Sequence, residues 1–151
     1  MRARSLSIKH RPQETDAGCL AACVQMALES LDVAISQKEL NRLFELTPAG
    51  VPTPRLGRLE RYGVQVTIQR GDQDDLLKAI DSGVPPILFV RTGQLAYWNI
   101  DTQRALLVSG YEGPDVLLND PAFSDAPQRV NIDELMLAWD EFDNTYALIT
   151  L

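Results

Sequence analysis

The sequence contains few of the residues that most often bind metals or form crosslinks. Its 151 residues include one histidine, His10, and two cysteines, Cys19 and Cys23. A structural zinc site takes four such ligands, so these three residues are too few. If the two cysteines lie one turn apart on one helix, their Cβ atoms are also too distant for an ordinary disulfide. We therefore expect no metal, no other cofactor and no disulfide bond.

Long hydrophobic runs and clusters of positive charge are also missing. No segment approaches the roughly 20 apolar residues of a membrane-spanning helix, and residues 1–9 lack the apolar core of a secretory signal. The net charge is −7, and no group of lysines and arginines offsets the spread of acidic side chains. Nucleic acids and anionic membranes are unfavourable partners for such a chain. We therefore expect a cytoplasmic protein with no membrane span and no nucleic-acid partner.

The composition fits one compact domain over residues 1–151, because 45% of the residues are apolar and can form a sizeable core. Apolar spacing, capping residues and glycines predict helices over 19–31, 36–45, 53–63, 72–82 and 132–142. Alternating or continuous apolar runs predict strands over 64–69, 87–90, 104–111, 116–118 and 145–151. Helices therefore dominate the first part and strands the second. This order predicts an α+β fold, with N-terminal helices packed on a C-terminal antiparallel sheet.

Four separated residues suggest a thiol-based site. Cys19 begins the first predicted helix, where the positive end of the helix dipole favours a thiolate. Gln13 precedes it by six positions, Arg104 opens the strand RALLVSGYE, and Asp120 follows the hairpin return VLLN and precedes a proline. Cys23, on the apolar stripe of the helix, is expected in the core.

With these pieces in this order, the chain resembles the papain-like cysteine peptidases of the bacteriocin-processing type, which remove double-glycine leader peptides, together with their stand-alone relatives. The resemblance covers nearly the whole chain. It implies that Cys19 is the nucleophile, that Gln13 supplies an oxyanion-hole donor, and that Asp120 orients a catalytic histidine. That histidine would stand six residues before Gly110, where this sequence has Arg104. The residue after the nucleophile, usually glycine, is Leu20.

An arginine at this position changes the chemistry that can be expected. A guanidinium favours a nearby thiolate, but it can neither accept the thiol proton nor donate a proton to a departing amine. General acid–base assistance is typically worth about 100- to 10,000-fold in rate. We therefore predict weakened or lost proteolysis of a peptide or protein substrate, such as a leader peptide. Thioesters and activated esters could still react.

Several alternatives stay open from the sequence alone. Arg104 and Asp120 could form a salt bridge that closes the site, which would make the protein a non-catalytic peptide- or partner-binding pseudopeptidase. His10 or a partner protein could supply the missing base. A thiol acyltransferase would use the same thiolate and oxyanion hole. Tyr97 and Trp98, between two predicted strands, are either substrate-binding residues in a peptide groove or aromatic cover for the sheet edge.

Overall fold

The structure, a computed structural model, describes residues 2–151 and consists of one antiparallel sheet between two layers of helices. The strands are β1 (Ala3–Ser5), β2 (Gln65–Arg70), β3 (Ile87–Arg91), β4 (Gln103–Glu112), β5 (Asp115–Asn119), β6 (Gln128–Asn131) and β7 (Thr145–Thr150). The α-helices are α1 (Cys19–Glu29), α2 (Gln37–Phe44), α3 (Gln73–Asp81) and α4 (Ile132–Asp140). Among the residues described, no helix is long and apolar enough to cross a membrane.

The strands follow the order β2-β7-β3-β4-β5-β6, and every pairing is antiparallel. The short strand β1 also pairs with β4, near its C-terminal end. This approach depends on Gly110, because a Cβ atom there would lie 2.5 Å from the carbonyl oxygen of Arg4. The α+β prediction is confirmed, although β1 and β6 were not expected from the sequence. Both are short and contain too little apolar alternation to be recognised.

The alternation of side chains along β4 divides the core into two clusters. Ala105 and Leu107 face α1, α2 and the segment that follows them, while Leu106 and Val108 face α3 and α4. The second cluster includes Trp139, which is fully buried and donates from its indole nitrogen to the carbonyl oxygen of Thr145. The sheet is therefore buried on both faces at its centre, and this fixes the register of β4.

The helix boundaries follow the predicted caps. Ser36 caps α2 by accepting a hydrogen bond from the backbone nitrogen of Glu39, and Asp72 forms a reciprocal capping box with Asp75 at the start of α3. The predicted helix over 53–63 is a 3₁₀ helix, Thr53–Tyr62. Its successor Gly63 has a φ of 82°, a conformation that glycine adopts without strain.

Candidate functional site

Cys19 lies at the junction of α1 and β4. It is the first residue of the helix and is half-buried, and its Sγ accepts a hydrogen bond from the backbone nitrogen of Ala105 at 3.4 Å. The preceding residue must be small, because a Cβ atom on Gly18 would lie 2.6 Å from Oγ1 of Thr15. The tight turn before the helix therefore places the thiol against the start of β4. A backbone N–H aimed at the sulfur also stabilises negative charge on it.

A cleft of about 610 Å³ opens beside this thiol. One part of its wall comes from the turn before α1 and from the segment between α2 and the 3₁₀ helix, and another from β3 and the start of β4. Its lining includes Asp16, Ala17, Cys19, Leu20, Pro48, Ala49, Gly50, Val51, Thr53, Phe89, Arg91, Asp101, Thr102, Gln103, Arg104, Ala105 and Phe142. A cavity of this volume can hold several residues of an extended peptide.

Gln13 stabilises the turn that precedes Cys19. Its Nε2 donates to the carbonyl oxygens of Thr15 and Asp16 at 2.9 and 2.8 Å, and its backbone nitrogen donates to the carbonyl oxygen of Pro121. Both amide hydrogens are thus used within the turn, while Oε1 is buried without a partner. In this arrangement Gln13 positions the turn, and the side chain would have to rearrange before it could donate to an oxyanion.

Arg104 shares an acceptor with Gln13. Its Nη1 donates to the carbonyl oxygen of Asp16 at 3.3 Å, and its guanidinium carbon lies 5.3 Å from the ring centroid of Trp98. No ion pair joins Arg104 to Asp120 or to any other acidic residue in the part of the chain that the structure describes. The salt bridge considered from the sequence does not form, because the carboxylate of Asp120 already has other donors.

Asp120 is completely buried and accepts three hydrogen bonds. Its Oδ2 accepts from the hydroxyl of Tyr97 and from the indole Nε1 of Trp98, both at 2.8 Å, and its Oδ1 accepts from the backbone nitrogen of Ala122 at 3.0 Å. Both aromatic rings pack edge-on against Phe123. These donors satisfy a charge that would be costly to bury alone.

Tyr97 and Trp98 therefore have a role that the sequence did not reveal. Their predicted role in substrate binding stays a prediction, because neither is among the described residues that line the cleft. Burial, followed by the charge of Asp120, raises the pKa of the Tyr97 hydroxyl far above its usual value. Tyr97 consequently stays protonated and keeps donating to Asp120 throughout the ordinary pH range.

The single histidine lies outside the cleft lining. Nε2 of His10 is 2.7 Å from the carbonyl oxygen of Phe123, and Nδ1 is 3.2 Å from Nδ2 of Asn119. A neutral ring that carries its proton on Nε2 satisfies both contacts, since it donates to the carbonyl and accepts from the amide. To act as a base for Cys19, His10 would have to give up these contacts.

The second cysteine has a different environment from the first. Cys23 is fully buried on α1 among apolar side chains, as predicted. Burial, reinforced by electrostatic interaction with Cys19 and Asp120, raises the pKa of its thiol well above the usual value. Both cysteines are free in the structure.

Sequence reasoning missed a buried polar residue that supports the site. Gln37 is 1% exposed, and its Oε1 accepts a hydrogen bond from the backbone nitrogen of Glu14. Its Nε2 donates to the carbonyl oxygen of Pro12 and to Oε1 of Gln25. It thereby fastens the chain around Gln13 to both α1 and α2. A glutamine next to a helix cap reads as a surface residue, so no pattern in the sequence indicated this role.

The Peptidase C39 family model matches residues 7–148 of the chain. No curated protein sequence matches significantly.

Solved structures of similar fold include a C39-like peptidase from Bacillus anthracis, with a TM-score of 0.81 at 13% identity over 100% of this chain and 98% of that one. A second is the peptidase domain of Streptococcus ComA, a bifunctional ABC transporter involved in quorum sensing, with a TM-score of 0.77 at 17% identity over 94% and 97% of the two chains. A third is a double glycine motif protease from an AMS/PCAT transporter in complex with the leader peptide, with a TM-score of 0.76 at 14% identity over 97% and 93%. These likenesses confirm the papain-like fold.

Proposed function

Because the chain belongs to the peptidase C39 family, we propose that it binds a peptide segment in the cleft beside Cys19 and cleaves peptide amides weakly or not at all. Cys19 would be the nucleophile of any residual reaction. Arg104 would stand in place of the histidine that family members use as their base. A leader peptide is the first ligand to test, since one similar structure is a complex of a double glycine motif protease with its leader peptide.

The observation that carries this proposal is the identity of the groups around the thiol. No imidazole is among the described residues that line the cleft, and the single histidine has both ring nitrogens in contact with other groups. The charged side chain near the start of the adjacent strand β4 is Arg104, which has no acceptor atom. A thiolate at Cys19 could attack a carbonyl carbon, but a departing amine would receive no proton from these groups.

The carboxylate predicted to orient a histidine supports the same proposal. Oδ2 of Asp120 is occupied by the donors of Tyr97 and Trp98. Asp120 therefore acts as the acceptor for an aromatic pair, and the cation of Arg104 lies against one member of that pair. This arrangement stabilises a cation at the site in place of a base.

The test compares leaving groups that do and do not need a proton. A peptide thioester and the corresponding peptide amide are incubated with the protein and with Cys19→Ala, and acyl release is measured by chromatography. We expect Cys19-dependent cleavage of the thioester, and amide cleavage slower than in an active family member by about 100- to 10,000-fold. Amide cleavage that depends on Cys19 and proceeds at the rate of an active family peptidase would contradict the proposal.

A thiol acyltransferase is a second candidate, favoured by the position of the partly exposed residue Cys19 in the lining of an open cleft. In this reaction the acyl group would pass from Cys19 to an amine in place of water. Adding hydroxylamine or glycinamide to the thioester reaction distinguishes the two outcomes. Acyl transfer to the amine well above its rate in Cys19→Ala would favour the transferase, whereas exclusive hydrolysis would exclude it for these acceptors.

A further inference from the structure

We propose that Arg104 binds a carboxylate in the cleft, and that this carboxylate is the C-terminus of a peptide whose last residue lies beside Cys19. The inference rests on the proposed function, because it names the end of the peptide that the cleft recognises. A protein of this kind would hold the C-terminal end of a peptide, whereas a peptidase cuts at a bond within the peptide.

The guanidinium of Arg104 has unused hydrogen-bonding capacity. Its one hydrogen bond within the described chain is the 3.3 Å contact from Nη1 to the carbonyl oxygen of Asp16. Nε is buried without a partner, whereas Nη2 is not buried and donates to none of the residues that the structure describes, so Nη2 is the nitrogen open to a ligand. A guanidinium is matched best by the two oxygens of a carboxylate. A ligand of this class would therefore supply the charge that the protein itself does not.

The surroundings hold this cation in the cleft. The ring of Trp98 lies 5.3 Å from the guanidinium carbon, and the indole nitrogen of Trp98 is fixed by its hydrogen bond to the buried carboxylate of Asp120. A cation over a fixed aromatic face is attracted to it and loses little freedom when a ligand binds. Asp120 and Trp98 thus act as positioning residues for Arg104.

Three other charged side chains line the same cleft. Arg91 and Asp101 neutralise each other through two hydrogen bonds, at 3.2 and 3.0 Å. Asp16 also lines the cleft, and it contacts Arg104 through its backbone carbonyl instead of its carboxylate. Arg104 is therefore the cation available to an anion, and the carboxylate of Asp16 should weaken that binding. Removing the charge of Asp16 should consequently strengthen it.

The position of Arg104 favours a chain end over an internal peptide group. Its Nη1 donates to the carbonyl oxygen of Asp16, in the turn that leads into Cys19, and Arg104 and Cys19 line the same cleft, so the guanidinium lies at the end of the cleft that contains the thiol. A peptide that continues past this point presents a neutral amide, which leaves the cation unpaired. A peptide that ends there presents a carboxylate, and it offers no scissile bond at that position. A retained ligand of this kind is consistent with a site that lacks an imidazole.

The test uses the peptide acetyl-Leu-Ala-Gly-Gly with a free carboxylate and the same peptide as its C-terminal amide. Each is titrated into the ¹⁵N-labelled protein, and the Nε–H resonance of Arg104 is followed by NMR. The expected result is a saturable shift with the carboxylate, and affinity for the amide lower by about tenfold to a hundredfold, as for loss of a charged hydrogen-bonded pair. The carboxylate peptide should also slow alkylation of Cys19 by iodoacetamide, because its last residue covers the thiol.

Matched variants test whether Arg104 is the group that binds the peptide carboxylate. Arg104→Gln should abolish the preference for the carboxylate, measured by backbone amide shifts. Arg104→Lys should retain part of it, since the charge remains without the planar fork. Asp16→Asn should increase affinity for the carboxylate peptide more than it changes affinity for the amide. Melting curves establish that each variant is folded before its titration is interpreted.

Three outcomes would overturn the inference. Equal affinity for the carboxylate and the amide would do so while leaving the proposed function intact, because a peptide would still bind. Equal affinity for acetyl-Leu-Asp-Gly-Gly amide would show that any carboxylate suffices and that the chain end is not recognised. If neither peptide binds, the inference is wrong. The rates of thioester and amide cleavage would still test the proposed function separately.

Discussion

The arrangement around Asp120 predicts how an imidazole at position 104 would behave. We expect Arg104→His alone to raise Cys19-dependent amide cleavage only modestly, and Arg104→His combined with Trp98→Phe to raise it much further. The reason is that an imidazole needs a carboxylate to hold it in the correct tautomer and orientation. In this protein the carboxylate at the expected place already accepts hydrogen bonds from three donors.

The size of the effect follows from the hydrogen bonds that Asp120 accepts. A carboxylate has about four acceptor positions; Tyr97 and Trp98 use two on Oδ2, and Ala122 uses one on Oδ1. A hydrogen bond to a charged group is worth about 1.5–3 kcal/mol. Both positions on Oδ2 are taken, so an imidazole that binds this oxygen must displace Tyr97 or Trp98 and would be correctly oriented in about one molecule in ten or fewer. Trp98→Phe removes one donor and keeps an aromatic ring, so the double variant should exceed the single one by about tenfold or more.

The assay is release of a fluorescent amine from a peptide amide, measured for the four combinations of residues 98 and 104. Trp98→Phe with Arg104 retained is the matched control and should show no gain. Cys19→Ala in the double variant should remove the activity. A double variant that is folded by circular dichroism and melting, yet cleaves the amide no faster than Arg104→His, would refute this reasoning.

Three further predictions concern the same region. Iodoacetamide should alkylate Cys19 and spare Cys23 in the folded protein, as mass spectrometry would show, because Cys23 is fully buried and its thiol pKa is raised; alkylation of both at similar rates would contradict this. Tyr97→Phe should lower the free energy of unfolding by about 1.5–3 kcal/mol at neutral pH, since it removes a hydrogen bond to Asp120. Folding raises the pKa of the Tyr97 hydroxyl. Its contribution to stability is therefore fully present below the unfolded pKa of about 10 and declines above it. In chemical denaturation, the difference in unfolding free energy between Tyr97→Phe and the original protein should shrink above pH 10. Gly18→Ala should slow alkylation of Cys19 and lower the melting temperature, because the turn before α1 has no room for a Cβ atom; an unchanged rate and melting temperature would show that the turn adjusts freely.

The sequence by itself determined most of the local structure. The apolar stripe of α1, the caps of α2 and α3, and the apolar runs of β3 and β4 predicted elements within a few residues of their observed ends. These features depend on contacts between residues close in the chain, so they can be recognised without knowledge of the fold. The order of the elements and the separated motif residues also indicated the papain-like fold.

Only the tertiary structure decided which residues distant in sequence contact one another. Gln13 and Arg104 share the carbonyl oxygen of Asp16, and Asp120 accepts from Tyr97 and Trp98 instead of pairing with Arg104.

Phe142 illustrates the same limit: the sequence predicts a helix over 132–142 on which Phe142 would be buried with Trp139, yet it lines the cleft. Its spacing on the last predicted helix matched a buried face, but α4 ends at Asp140, so Phe142 does not lie on the helix.

The partner of a buried acceptor depends on which donors the whole fold brings near it, because those donors compete for the same oxygen. A linear sequence does not specify which donors these are.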